Sequence, residues 1–183
     1  MNKLKGHFTY LCGQIDAIPD GGVSWRDSLT PWLRERGVIV MDPCKKPIDD
    51  MPDELEARAD IQKMKDEGRF HEIRPKYRGI RNVDLRMCDK SDFLVAYVDM
   101  DYAIAGTVSE IDNANYSKKP VLVVCKQGRK KLNNWYHWML PPEHLFDSFE
   151  KLKKYLDGVD SGRDANTHNR WIFFNQRKLM GLE

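Results

Sequence analysis

The chain has 183 residues, 41% of them hydrophobic and 32% charged, with a formal net charge of +2. That length suits one domain with a sizeable core, and the near balance of charge removes any global case for a nucleic-acid or membrane-surface partner. No apolar run approaches the ~20 residues of a membrane-spanning helix, and basic residues are interspersed with acidic ones rather than gathered in a stripe, which speaks against nucleic acid.

Residues 7–12 (HFTYLC) are the first predicted strand, entered directly and without a signal-peptide cleavage region. Gly13 ends it where the backbone must turn or approach a ligand. The loop 14–23 carries Asp16, Pro19, Asp20, Gly21 and Gly22, which is turn chemistry over a candidate site. Ser24 is placed to cap a helix with Trp25, Leu29, Trp32 and Leu33 on one face. Pro31 predicts either a kink in that helix or a restart capped by Thr30. Gly37 stops it, and residues 38–41 are the second strand, ended by Asp42-Pro43.

From Cys44 to Pro75 the composition turns charged. Residues 53–67 predict a helix with Leu55, Ala59, Ile61 and Met64 as its apolar set and Gly68 as its stop, an insertion lying over the domain. Pro75 is expected to break the chain. A helix over residues 78–90 turns Ile80, Val83, Leu85 and Met87 inward and delivers Asp84 toward the third strand, residues 93–98. Gly106-Thr107 opens the next helix, Lys118-Lys119-Pro120 closes it, and residues 121–125 are the fourth strand.

A basic loop and an aromatic cluster follow (KQGRKKLNNWYHWMLPP), then a short fifth strand at 144–146 and a helix at 148–156 with Phe149, Leu152 and Leu156 on one stripe. Residues 171–182 are too apolar to hang free in a monomer and are expected to dock on the domain or on a second subunit. The alternation of strands and helices predicts an α/β, flavodoxin-like open parallel sheet of about five strands with helices on both faces. The domain is expected over residues 1–157, with the charged helical insertion at about 44–75 and a tail at 158–183.

The unit from residue 93 to residue 125 predicts a right-handed crossover, and ligands of such sheets bind outside the carboxyl ends of the strands. Glu110 is expected there, on the first turn of a helix, with Asp84, Asp99 and Asp101 nearby. A lone carboxylate at that position merely complements the helix dipole. A cluster of like charges instead splits its pKa values, leaving one group protonated and another ionised. That division suits glycosidic-bond chemistry, in which one carboxylate attacks the sugar and a protonated partner assists the leaving group. Tyr10, on the first strand, is placed to hold Glu110 by its hydroxyl. Asp92, at a strand start after Ser91, reads as a cap or turn, or as a substrate contact.

His71, His137 and His144 lack partners in register for a metal site, and Cys12, Cys44, Cys88 and Cys125 show no CxxC spacing. Reduced core cysteines in a cytoplasmic protein are expected. Neither GxGxxG nor GxxxxGK[ST] is present to cradle a pyrophosphate.

Several pieces together resemble the nucleoside 2-deoxyribosyltransferase family and the related nucleoside-monophosphate N-glycosidases. They are Tyr10-Leu11-x-Gly13, Ser24-Trp25-Arg26, Asn82-x-x-Asp84-Leu85, Ser91-Asp92-Phe93-Leu94-Val95-Ala96, Gly106-Thr107-x-x-Glu110-Ile111-x-x-Ala114 and Lys119-Pro120-Val121, in order across roughly residues 7–125. The resemblance implies a flavodoxin-like fold, a homo-oligomer, a nucleoside or nucleotide substrate, and no metal or organic cofactor. It makes Glu110 the nucleophile that forms a glycosyl-enzyme intermediate, Asp84 a sugar contact or an aid to base protonation, and Tyr10 the residue that orients Glu110. It points to Gly13, Asp16, Trp25, Arg26, Asp92, Asp99, Asp101, Gly106 and Thr107 as substrate-binding positions. A second base as acceptor gives transfer; water gives hydrolysis.

The chain departs from the family at two positions. Ile104 stands where the family often carries an Asp, six residues before the nucleophile, and Asp112 stands where it has a Gly. The insertion and the tail have no counterpart, which implies a shifted substrate. Two other expectations follow: a non-catalytic nucleotide-binding module, and an N-glycosidase acting on a dinucleotide such as NAD.

Overall fold

The computed structural model of the protein describes residues 2–16, 18–46, 48, 54–164, 170–175 and 181. Strands Phe8–Gly13 (β1), Ile39–Met41 (β2), Phe93–Val98 (β3), Val121–Cys125 (β4) and Leu145–Phe146 (β5) form one sheet in the order β2-β1-β3-β4-β5. Every neighbouring pair is parallel. The continuous apolar runs of β3 and β4 are what a strand covered on both faces requires.

Side chains alternate across the sheet with period two. Tyr10, Cys12, Leu94, Ala96 and Val98 face one core, shared with Met87 and Cys88 of helix Phe70–Lys90 (α3), Ile111 and Ala114 of helix Ala105–Tyr116 (α4) and Tyr136 of helix Asn134–Met139 (α5). Leu11, Phe93, Val95, Leu122 and Val124 face the other core, closed by Trp25, Leu29 and Leu33 of helix Val23–Glu35 (α1) and Leu152, Leu156 and Val159 of helix Phe149–Ser161 (α6). Helices therefore cover both faces, and Tyr10 and Cys12 are on the side of α4.

Two prolines behave differently from expectation. α1 continues through Pro31, and α3 continues through Pro75, starting at Phe70 rather than Arg78. Both prolines are exposed, so water can satisfy the carbonyls their rings cannot bond. α1 is capped by Gly22, not Ser24, whose hydroxyl donates to Asp20 at 2.5 Å. Gly22 has φ 69°, and a Cβ there would meet the Gln14 carbonyl at 2.8 Å, which excludes any larger residue. At Gly13 the crowding comes from the Tyr97 carbonyl on β3, 2.8 Å from a Cβ.

Helix Glu54–Asp66 (α2) packs Ala57 and Met64 against Tyr77 of α3 in a small separate core, with Ile61 and Ile80 at its edge; Ala59, expected inside, is exposed. α4 begins one residue before Gly106, so Glu110 lies on its second turn and not its first. β5 is confined to two residues because His144 belongs to a preceding 3-10 turn, where its ring is buried against the Tyr155 hydroxyl at 3.0 Å. After α6 the chain returns to the domain: Trp171 is buried, donates to Tyr155 at 2.9 Å and lies 5.3 Å from the Phe93 ring. Most of the rest of the tail falls outside the described residues.

Asp92 ties together the amino ends of β1 and β3, accepting the Phe8 amide at 2.8 Å and facing His7 Nδ1 at 3.2 Å. Burial works against its charge, but the bonds from His7 and Phe8 prevail and hold its carboxyl below the usual value. A depressed carboxylate pKa adds stability above the unfolded value and loses it as pH falls through the folded one. Asp92→Asn is therefore expected to cost about 1 kcal/mol at neutral pH, with the gap from the parent closing below pH ~4. Urea unfolding at neutral and acid pH measures it; a gap that persists in acid contradicts the assignment.

Candidate active site

The carboxyl ends of β1 and β3 open into a cavity of about 420 Å³. β1 and its following loop contribute Tyr10, Gly13, Gln14 and Asp16; α2 contributes Glu54 and Ala57; α3 contributes Tyr77, Arg81 and Asp84; the stretch into α4 contributes Ile104, Gly106, Thr107 and Glu110. The inserted α2 and the amino-terminal part of α3 thus form one wall.

The two-residue period of β1 decides how Glu110 is held. Tyr10 and Cys12 point to the same face, and each takes one oxygen of the Glu110 carboxylate. The Tyr10 hydroxyl donates to Oε1 at 2.7 Å, and the Cys12 thiol donates to Oε2 at 3.0 Å. Burial raises the Glu110 pKa, and the two bonds from Cys12 and Tyr10 oppose that rise. Burial, reinforced by the Glu110 charge, pushes both the Tyr10 hydroxyl and the Cys12 thiol well up, so both remain protonated donors. A carboxylate fixed at both oxygens in a desolvated crevice is pre-organised for attack on an electrophilic carbon.

Asp84 reaches the cavity through the helical stripe Tyr77, Asp84, Met87 and Cys88, all buried on α3. Lys46, in the turn after β2, lies 3.0 Å from Asp84 Oδ1 and also pairs with Glu54. Burial and the Asp84 charge push the Glu54 carboxyl up to about 7. Burial also raises Asp84, with Lys46 opposing it. Burial disfavours the Lys46 ammonium, yet Glu54 and Asp84 outweigh that and raise its pKa.

Asp99 and Asp101 do not join this group. Asp99 accepts Lys126 at 2.7 Å and Gln127 at 2.6 Å, and its backbone is clasped at both ends by the Gln14 amide. It borders a separate hollow of about 220 Å³ with Trp25, Tyr97 and Lys126. Asp101 is exposed and accepts Gln127 at 3.0 Å.

Arg26 and Trp25 are also occupied elsewhere. Arg26 is wholly buried and donates to the carbonyls of Leu11, Gly13, Gly21 and Gly22 at 3.0–3.3 Å, with Asp42 3.6 Å away. It anchors the loop behind the cavity rather than facing into it. Trp25 stacks on Phe149 at 5.7 Å and tilts against Tyr97. Asp92 sits at the opposite, amino end of β3. Of the expected positions, Tyr10, Gly13, Asp16, Asp84, Gly106, Thr107 and Glu110 converge on the cavity.

Glu54, Lys46, Cys12 and Gln14 were not expected at the site. Cys12 was accessible from the alternation with Tyr10. Glu54 and Lys46 had no local signal, since a charged insertion ordinarily faces solvent. Among the described residues, no group of three or more His, Cys, Asp and Glu side chains is arranged to hold a metal ion, and no helix is long and apolar enough to cross a membrane.

No family model matches the chain, and no curated protein does. Among solved structures, its fold is similar to that of a 2-deoxyribosyltransferase from the psychrotolerant bacterium Bacillus psychrosaccharolyticus. The TM-score is 0.56 over 81% of this chain and 91% of that one, at 16% identity. The likeness is one of fold, and it agrees with the flavodoxin-like α/β architecture expected from the sequence.

Proposed function

We propose that the protein cleaves or transfers at the N-glycosidic bond of a nucleoside or nucleoside monophosphate, ribo or deoxy, with Glu110 as nucleophile. The observation that carries this reading is the Glu110 carboxylate, gripped by Tyr10 and Cys12 inside a strand-end cavity. A cavity of about 420 Å³ suits a ligand of nucleoside size. Fold similarity to a 2-deoxyribosyltransferase supports the same class of chemistry.

In this reading the anomeric carbon meets one Glu110 oxygen as the base departs, giving a glycosyl enzyme. Tyr10 and Cys12 keep the carboxylate in the attacking rotamer, so its orientation is set before substrate arrives. Asp84 faces the sugar. The acceptor, water or a second base, then displaces Glu110 and decides between hydrolysis and transfer. The catalytic unit is the domain of residues 1–157, with the insertion closing one side of the cavity.

The test is base release, followed by chromatography, over nucleosides, deoxynucleosides, their monophosphates and NAD, each with and without an added acceptor base. Release from a nucleoside or monophosphate is expected, and exchange with the added base marks a transferase. Nicotinamide release alone would move the substrate to a dinucleotide. No release, with ligand-dependent thermal stabilisation retained, would overturn the reading in favour of a binding module.

A further inference from the structure

Breaking an N-glycosidic bond requires a proton as well as a nucleophile, because a neutral base departs as an anion unless a ring nitrogen is protonated. Ile104, six residues before Glu110, lines the cavity with hydrocarbon and supplies no proton. Tyr10 and Cys12 are committed to Glu110 itself. Among the described residues, the acids on the cavity wall besides Glu110 are Asp16, Asp84 and Glu54, and Asp16 is exposed to solvent.

Resting on the glycosyl-transfer reading, we propose that Glu54, the first residue of the inserted helix α2, is the acid that protonates the leaving base. Glu54 lines the same cavity as Glu110 but comes from a different wall. Glu54 and Asp84 share one buried ammonium, Lys46, and Glu110 lines the same cavity as both carboxyls. Arg81 also lines the cavity but is exposed. Cys44, a further titratable neighbour of Glu54 among the described residues, is a thiol that burial pushes up to about 11 and so stays neutral. Like charges crowded in a low-dielectric cavity retain a proton among them. Burial raises both carboxyls and Lys46 opposes the rise at each, whereas the hydrogen bond between them raises Glu54 and lowers Asp84, so the shared proton rests on Glu54.

The chemistry balances. In the first step the bond from the anomeric carbon to Glu110 forms as the carbon–nitrogen bond breaks, and the Glu54 proton passes to the departing ring nitrogen. The Glu54 carboxylate so formed is neutralised by Lys46. In the second step it takes a proton from the incoming water or acceptor base as the carbon–oxygen bond to Glu110 breaks.

The experiment compares Glu54→Gln with the parent chain on the panel's best nucleoside and on the 4-nitrophenyl glycoside of the same sugar, whose phenolate leaves unprotonated. Gln keeps the size and an acceptor for Lys46. We expect kcat on the nucleoside to fall about 100-fold or more, with a far smaller loss on the nitrophenyl glycoside. In the parent, kcat on the nucleoside falls as pH rises from 6 to 9, because the acid must be protonated to act; the variant lacks that alkaline limb. Equal losses on both substrates, an unchanged nucleoside rate, or a parent rate that stays flat to pH 9 would overturn the assignment. If base release occurs and depends on Glu110 but not on Glu54, only this inference fails. If no release depends on Glu110, the underlying reading fails with it.

Discussion

Glu110→Ala is expected to lower base release at least about ten-thousand-fold, the scale on which loss of a covalent nucleophile is felt, while the protein stays folded. The carboxylate is costly to bury, as its raised pKa indicates, so its removal relieves desolvation. The hydrogen bonds that Tyr10 and Cys12 lose face a cavity open to water. Thermal stability should therefore hold or rise, the usual relation between an active-site charge and the fold around it. Intact-mass measurement adds a second readout: the parent incubated with substrate gains one glycosyl group, and the variant does not. Added formate or azide, small enough for the vacated space, should partly restore turnover. Unchanged turnover in Glu110→Ala would remove the nucleophile from the mechanism.

Arg26→Met is expected to cost about 3–5 kcal/mol of stability, the range for breaking a buried charged network. The guanidinium is wholly buried and serves four carbonyls, those of Leu11, Gly13, Gly21 and Gly22, while standing 3.6 Å from Asp42. A methionine fills the volume but leaves those carbonyls without their donor and Asp42 without its cation. Arg26→Lys should recover little, because one ammonium on a flexible stem cannot span the set that a planar fork reaches. Gly13 and Gln14, next to the anchored carbonyls, line the cavity, so activity should fall along with stability. Urea unfolding gives the measurement; a loss below about 1 kcal/mol would show that water replaces the guanidinium.

Much of the site was legible because it depends on short-range rules. The alternation along β1 places Tyr10 and Cys12 on one face, and the strand–helix–strand order brings the start of α4 to the end of β1. Those two facts suffice to unite Tyr10 with Glu110. The acids immediately after β3 misled, since nearness along the chain is not nearness in the site. Asp99 and Asp101 leave the strand end beside the cavity, but Gln14, Lys126 and Gln127 from neighbouring strand ends claim them. Arg26 misled in the opposite way: a charged residue beside a candidate site reads as a ligand contact, and only its full burial shows it to be a backbone anchor.

By itself, the sequence determined the parallel sheet, its two covered faces and the carboxylate at its carboxyl edge, because apolar runs and periodicities act over a few residues. Only the tertiary structure decided that α1 and α3 pass through their prolines, since this depends on which helix face meets water. It also brought Glu54 and Lys46 to Asp84 and Glu110. A charged insertion has no local pattern that marks it as buried. Its charges become a site only when another helix closes over them, excludes water and leaves Glu54 and Asp84 sharing one ammonium beside Glu110.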